Sequence, residues 1–345
     1  MNSDSATPTI TSGIGMIGAG FHATSNVLPS VVLAGLPIVA LATRDTARSA
    51  AALLRFGSDG RAVAGADAIL ADPSIRDVVI VAQPADQAEL TLAAIRAGKN
   101  AFVDKPLGRT PAEARQIAEE ADANGVIVMV GFMKRYAPAY RELKTLLERG
   151  DLGAIRSFEI SFGCDSTPFC ADDEEYLLLA AIHLIDLVRF LFGEVEVAHT
   201  LSASEGPNVS LAITLRTSAG VVGALALSGL PAYSSETETL RVSGDRGYAR
   251  VSEVAHLTTH LQQPGDVASW RELTEVTTTR SPAESAMSGV ERDLHLRGFV
   301  GELLAFRTAV DSQVAPSSSA RDNVRTMELL ALLQAGAAAS REGRG

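Results

Sequence analysis

Ile14-Gly15-Met16-Ile17-Gly18-Ala19-Gly20-Phe21-His22-Ala23 is the stretch on which the fold turns. Its first four residues read as a short buried strand, and the glycine-rich loop leads into a segment with helical spacing, Ser25 to Leu33. In that context G-x-G-x-x-A is a dinucleotide fingerprint. Gly18 permits a tight turn, Gly20 lets backbone approach a pyrophosphate, and Ala23 permits close helix packing. The negative charge of the ligand then meets a helix N-terminus. Phe21 and His22 complete the loop, and His22 either touches a ligand phosphate or is an exposed spacer.

Outward from this loop, apolar runs alternate with helical segments up to Gly131. The runs are Ile14 to Ile17, Ile38 to Ala42, Val78 to Ala82, Ala101 to Val103 and Val126 to Val130. Helical stretches lie around Thr46 to Phe56, Gln87 to Ala97 and Pro111 to Asn124, with Pro111 suited to a first helical turn and Gly125 to a helix end. This alternation predicts an α/β fold, a Rossmann-type doubly wound parallel sheet over residues 13–131.

Past Gly131 the pattern changes. An amphipathic helix, Pro138 to Arg149, is followed by strand-like segments at Ile155 to Phe162, Val209 to Arg216, Val221 to Ser228 and Thr239 to Ser243. Residues 132–345 are therefore expected to form an α+β domain with a large, mostly antiparallel open sheet. One long helix, Leu177 to Phe192, interrupts that sheet, and helices near Val290 to Val310 and Asp322 to Ala337 close the chain. The last helix can pack back on the first domain. Thr277 to Ser288 reads as a mobile loop, and the end beyond Leu333 as prone to fraying.

At 345 residues and 46% hydrophobic content the chain can bury two cores. A formal charge of -11 argues against nucleic-acid or anionic-membrane partners. Cys164 and Cys170 make neither a disulfide framework nor a zinc-type motif, so no metal is expected and a reducing cytoplasm is the expected compartment. No apolar run approaches the roughly 20 residues of a membrane span. Met1 to Ser12 is polar, lacks a signal-peptide pattern, and is expected to be a loose tail.

The end of the second strand selects the cofactor. Ala42-Thr43-Arg44 presents a hydroxyl and a guanidinium where an acid would grip ribose hydroxyls, which favours NADP(H) over NAD(H). Arg44 is the main determinant through a bidentate fork to a 2′-phosphate, and Thr43 assists. The alternative is that Arg44 merely covers the helix below. At the same sheet edge, Gln83 and Pro84 either border the nicotinamide or simply end a strand.

Asp104-Lys105-Pro106 follows the buried run Asn100 to Val103, so Lys105 lies beyond the carboxyl end of a parallel strand, where such folds bind ligands. An ammonium there can donate hydrogen bonds and exchange a proton. His183 and Asp186, three apart on one helix, suggest an imidazole oriented by a carboxylate or a self-satisfied buried pair. Arg135 and Tyr136 follow the crossover into the second domain. Tyr136 supplies a phenol for proton transfer or packs an aromatic face, and Lys134 is expected in solvent.

In their order along the chain these motifs resemble the Gfo/Idh/MocA oxidoreductases, the family of glucose-fructose oxidoreductase and inositol dehydrogenase. The likeness rests on the Gly18 loop, Ala97-Gly98-Lys99, Asp104-Lys105-Pro106-Leu107, Val130-Gly131-Phe132-Met133-Lys134-Arg135-Tyr136-Ala137-Pro138, and Ile182-His183-Leu184-Ile185-Asp186-Leu187 before Phe192-Gly193. It runs from Gly13 to about Leu333, with Asp104 in place of the family's usual Glu. The resemblance implies a nicotinamide hydride carrier, with Asp104 and Lys105 beside its ribose and Lys105 near the reacting carbon-oxygen group. It also implies an active-site His183, a substrate bordered by the segment that holds Asp165 and Tyr176, and a homodimer or homotetramer built through the open sheet. Arg135 is expected near the substrate from its place just after the crossover.

One departure stands out. Many members carry Asp four residues before the histidine, where this chain has Leu179. Asp172, Asp173, Glu174 and Glu175 lie too far back to replace it on one helix face. The expected function is hydride transfer between NADP(H) and a carbonyl or hydroxyl carbon of a sugar, nucleotide-linked sugar or cyclitol. The competing reading is an NADP(H)-binding sensor of the same fold that has lost catalysis.

Overall fold

The structure is a computed structural model that describes residues 13–262, 276–283 and 292–343. The chain divides into two compact units. The first runs to Gly131 and includes Leu303–Asp322, and the second comprises Phe132–Glu302 with Asn323 onward.

The first unit is built on a six-stranded sheet in the order β3-β2-β1-β4-β5-β6. Its strands are β1 (Ile14–Ile17), β2 (Ile38–Thr43), β3 (Arg61–Ala64), β4 (Asp77–Ile80), β5 (Asn100–Asp104) and β6 (Val128–Gly131). Every pairing is parallel. β1 and β4 are buried throughout, as expected for strands covered by helices on both faces.

The crossovers carry α1 (Leu28–Leu33, entered through a π-helical turn at Ala23–Val27), α2 (Thr46–Arg55), α3 (Asp67–Leu70), α4 (Pro84–Arg96) and α5 (Pro111–Asn124). Local chemistry sets their ends. Thr110 accepts the Glu113 N–H, Pro111 occupies the first turn of α5, and Gly125 closes it at φ 63°. The returning segment Leu303–Asp322 belongs to this unit, with Phe306 edge-on to Phe102 and the Ser318 carbonyl accepting the Val130 N–H at 2.8 Å.

The second unit opens with a 3₁₀ turn at Met133–Tyr136 and α6 (Pro138–Glu148). Its eight strands are β7 (Ile155–Cys164), β8 (Val195–Ser202), β9 (Val209–Thr217), β10 (Val222–Gly229), β11 (Thr237–Gly244), β12 (Gly247–Ser252), β13 (His256–Leu261) and β14 (Thr277–Arg280). They lie in the order β14-β13-β12-β11-β7-β10-β9-β8, and only β7 with β10 runs parallel. Strict alternation along β9 and β10 leaves one face buried and the other exposed. The helices are α7 (Asp173–Leu179), α8 (Ile182–Phe192), α9 (Arg292–Leu296) and most of α11 (Ala320–Glu342), while α10 (Phe299–Ser312) begins in this unit and continues into the Leu303–Asp322 segment of the first. α8 meets the buried face where Phe192 stacks on Phe158, ring centroids 4.1 Å apart.

Several expectations change. β3 went unrecognised. The single helix over Leu177 to Phe192 is two helices, because the Ala180 and Ala181 N–H groups both turn back to the Tyr176 carbonyl and break the run. Thr277 to Arg280 is a strand, while 284–288 of the expected loop and the tail Met1 to Ser12 lie outside the described residues. α11 continues past Leu333 to Glu342.

Candidate functional site

A cavity of about 940 Å³ opens at the carboxyl edge of the parallel sheet, lined wholly by residues of the first unit. The glycine loop forms one wall. Gly18 adopts φ 106°, and a Cβ there would sit 2.0 Å from the Val81 carbonyl oxygen, so this turn excludes every other residue. At Gly20 a Cβ would meet nothing within 4 Å, so the backbone faces open space that a pyrophosphate can approach. Phe21, 86% exposed, His22 and Ala23 also line the cavity.

At the far end of β2, Thr43, Arg44 and Asp45 reach the same cavity. The Asp45 carboxylate caps α2, its Oδ1 accepting the Ala47 N–H at 2.9 Å. The Thr43 hydroxyl lies 3.0 Å from Ser49 Oγ. Sequence reading missed Arg48, a second exposed guanidinium on the cavity wall. Its only signal was its place in the first turn after the strand that selects the cofactor. The open Gly20, the helix entry and the two arginines fit a phosphorylated dinucleotide.

Gln83 and Asp104 line the cavity, whereas Pro84 starts α4 and Lys105 lies just beyond Asp104, outside the lining. His22 sits between Asn26, whose Nδ2 is 3.1 Å from Nδ1, and Asp104, whose Oδ2 is 3.6 Å from Nε2. Burial alone would raise the Asp104 carboxyl. The neighbouring His22 and Lys105 outweigh it and hold the group below its ordinary value.

The remaining candidates belong to the second unit. Arg135, 4% exposed, forms a bidentate pair with Asp186, Nε to Oδ2 at 2.7 Å and Nη2 to Oδ1 at 2.6 Å. Thr326 donates to the same carboxylate at 3.0 Å. Asp186 is thus engaged by Arg135 and Thr326, and the Arg135 guanidinium lies buried against it. Lys134, expected in solvent, is buried against Glu238, which also accepts the Tyr140 hydroxyl. Tyr136 ends this pinned turn, half-buried.

His183 is half-buried near the start of α8, its ring edge-on to Phe132 at 6.1 Å. Leu179 ends α7, so counting four residues back from His183 crosses a helix break, and the two do not share a helix face. Three of the four nearby acids are engaged: Asp172 caps α7, Glu175 accepts the Ala171 N–H, and Asp173 is held by Ser202 and Arg341. Asp165 accepts both the N–H and the hydroxyl of Thr167. Tyr176 is fully buried, and burial drives its phenol far upward, with Cys164, Cys170 and Tyr233 adding to the shift. Burial, with Glu236 and Asp165, pushes the Cys164 thiol up to about 11. Tyr233, a loop aromatic the sequence gave no reason to single out, lies on Gly163, where a Cβ would fall 2.3 Å from its ring.

Among the described residues no group of three or more His, Cys, Asp or Glu is placed to hold a metal, and no helix is long and apolar enough to cross a membrane.

Comparison with known proteins adds an independent line. Residues 12–132 match the profile described as oxidoreductase family, NAD-binding Rossmann fold, and residues 140–250 match the GFO/IDH/MocA C-terminal domain. Inositol 2-dehydrogenase of Acidothermus cellulolyticus is 32% identical over 62% of this chain, which spans 65% of that enzyme, just under two thirds of its length. D-apiose dehydrogenase of Paraburkholderia graminis is 28% identical over 95% of this chain and 88% of its own. Levoglucosan dehydrogenase in complex with NADH and levoglucosan superposes with TM-score 0.80 at 22% identity, covering 95% of this chain and 98% of that one. KijD10, a 3-ketoreductase from Actinomadura kijaniata in complex with NADP, gives 0.74 at 22%, covering 94% and 97%. At these identities the solved structures show the shared fold.

Proposed function

The chain belongs to the Gfo/Idh/MocA oxidoreductase family, and on that premise we propose that it is an NADP(H)-dependent oxidoreductase acting on a sugar, a nucleotide-linked sugar or a cyclitol, as a ketoreductase in a biosynthetic pathway. The observation that carries the reading is Lys105, placed beyond the carboxyl end of β5 beside Asp104, itself on the wall of the dinucleotide-shaped cavity. A bound nicotinamide dinucleotide supplies or accepts the hydride. Lys105 donates a hydrogen bond to the reacting oxygen and stabilises the developing alkoxide, and Lys105 or His183 delivers the proton. Tyr136 is a further phenol available for that transfer.

Preference for NADP(H) is supported by Arg44 and Arg48 on the cavity wall and by the engagement of Asp45 in capping α2. Relatives and neighbours use both cofactors by name, so the preference rests on this chain's own residues. Homodimers or homotetramers through the second sheet are supported by the exposed small side chains Ala212, Thr214, Ala224 and Ala226 on its open face. A cytoplasmic setting suits two buried cysteines that form no disulfide.

Leu179 favours a second reading, a sensor that binds NADP(H) without turnover. The test is a panel run in both directions: keto sugars with NADPH, and inositols, D-apiose and levoglucosan with NADP+. Turnover of any member supports the enzyme. Binding of NADP(H) with no turnover on any of them selects the sensor.

A further inference from the structure

We propose that Gln87 is the positioning residue of Lys105, a role that rests on the reading of Lys105 given above. Gln87 lies in the first turn of α4 and is 1% exposed. Its Nε2 donates to the carbonyl of Pro106 at 2.8 Å and to the carbonyl of Asp104, the residues on either side of Lys105. Its Oε1 accepts the Ala82 N–H at 3.4 Å. The orientation of the amide follows from chemistry, since two carbonyls can be met only by the NH2 group. One buried side chain thus holds both flanks of Lys105 and ties them to Ala82, which lines the dinucleotide cavity. Main-chain anchorage on both sides fixes the Cα from which the lysine extends, which is what a donor aimed at a developing alkoxide requires.

Nothing else in the first turn of α4 can replace it. Pro84 has no N–H, and Asp86 is an acceptor that would repel both carbonyls. The chain also offers an internal control, because it contains only four lysines. Lys99 donates to the Asp72 and Ile75 carbonyls, Lys134 pairs with Glu238, and Lys144 donates to the Phe190 carbonyl, and Gln87 is not among these partners.

The experiment compares Gln87→Met, which keeps length and loses the donors, and Gln87→Glu, which keeps shape and reverses them, in protein labelled at lysine Cε. The Lys105 signal is identified by its loss in Lys105→Met. In both variants that signal is expected to move or broaden while those of Lys99, Lys134 and Lys144 stay in place. Turnover of whichever panel substrate is active should fall about 100-fold with KM within about threefold, the mark of lost orientation. In the Lys105→Met background the same Gln87 change should cost less than about threefold more, because both act through one group. An unmoved Lys105 signal, or equal losses in the two backgrounds, would overturn the positioning role while leaving Lys105 in the mechanism. Full turnover by Lys105→Met alone removes Lys105 from the reaction, and the role of Gln87 falls with it.

Discussion

Arg135 and Asp186 meet through two parallel hydrogen bonds of 2.7 and 2.6 Å, both side chains almost wholly buried, although 51 residues separate them. Removing one partner of such a pair leaves an uncompensated buried charge. Asp186→Asn is therefore expected to destabilise the protein by about 3 kcal/mol. Thermal or urea unfolding measures this directly, and an unchanged midpoint would mean that the Arg135 guanidinium finds another acceptor.

Arg44 and Arg48 stand on the same cavity wall. Each substitution to Ala should weaken NADPH by about 10- to 100-fold, the value of a charge-assisted hydrogen bond, and leave NADH within about twofold. Fluorescence titration of both cofactors separates the outcomes. Equal losses for NADH and NADPH would show that the arginines support the fold and not the 2′-phosphate.

Gly18 and Gly20 should respond in opposite ways to the same methyl group. Gly18→Ala combines positive φ with a 2.0 Å approach to the Val81 oxygen, so it should lose more than about 2 kcal/mol of stability. Gly20→Ala meets no protein atom and should keep its melting temperature while losing cofactor affinity about tenfold. Unimpaired binding by Gly20→Ala would remove the pyrophosphate from this loop.

Asp104 has a folded-state pKa below its ordinary value of 3.8. A group depressed in this way stabilises the fold above its unfolded pKa, and the contribution is lost as pH falls through the folded pKa. The stability gap between the wild type and Asp104→Asn should be full near neutrality and close below about pH 4. Urea unfolding across that range checks it, and a gap that widens on acidification would contradict the assignment.

The parallel half of the fold was legible because its signals are local. A glycine loop after an apolar run, Pro111 with Gly125 bracketing a helix, and buried runs such as Val78 to Ile80 need no distant partner to be read. β3 escaped because Arg61–Ala64 is a four-residue edge strand with no fully buried position. The break at Ala180-Ala181 carries no Gly or Pro, so helical spacing in the sequence runs straight through it. At the site, the cavity-lining glycine loop and the end of β2 could be read in sequence order, whereas the partners that decide Lys134 and Asp186 are 104 and 51 residues away. Gln87 looked like an ordinary helical residue because its three partners are main-chain groups, which leave no trace in composition.

Lys105→Met puts the central claim to its most direct test. Steady-state turnover with an active panel substrate should fall by about 1,000-fold, while the Kd for NADPH stays within about threefold, because the change removes a donor to the reacting oxygen and spares the cavity. Turnover equal to the wild type, with the variant folded and NADPH bound, would contradict the account.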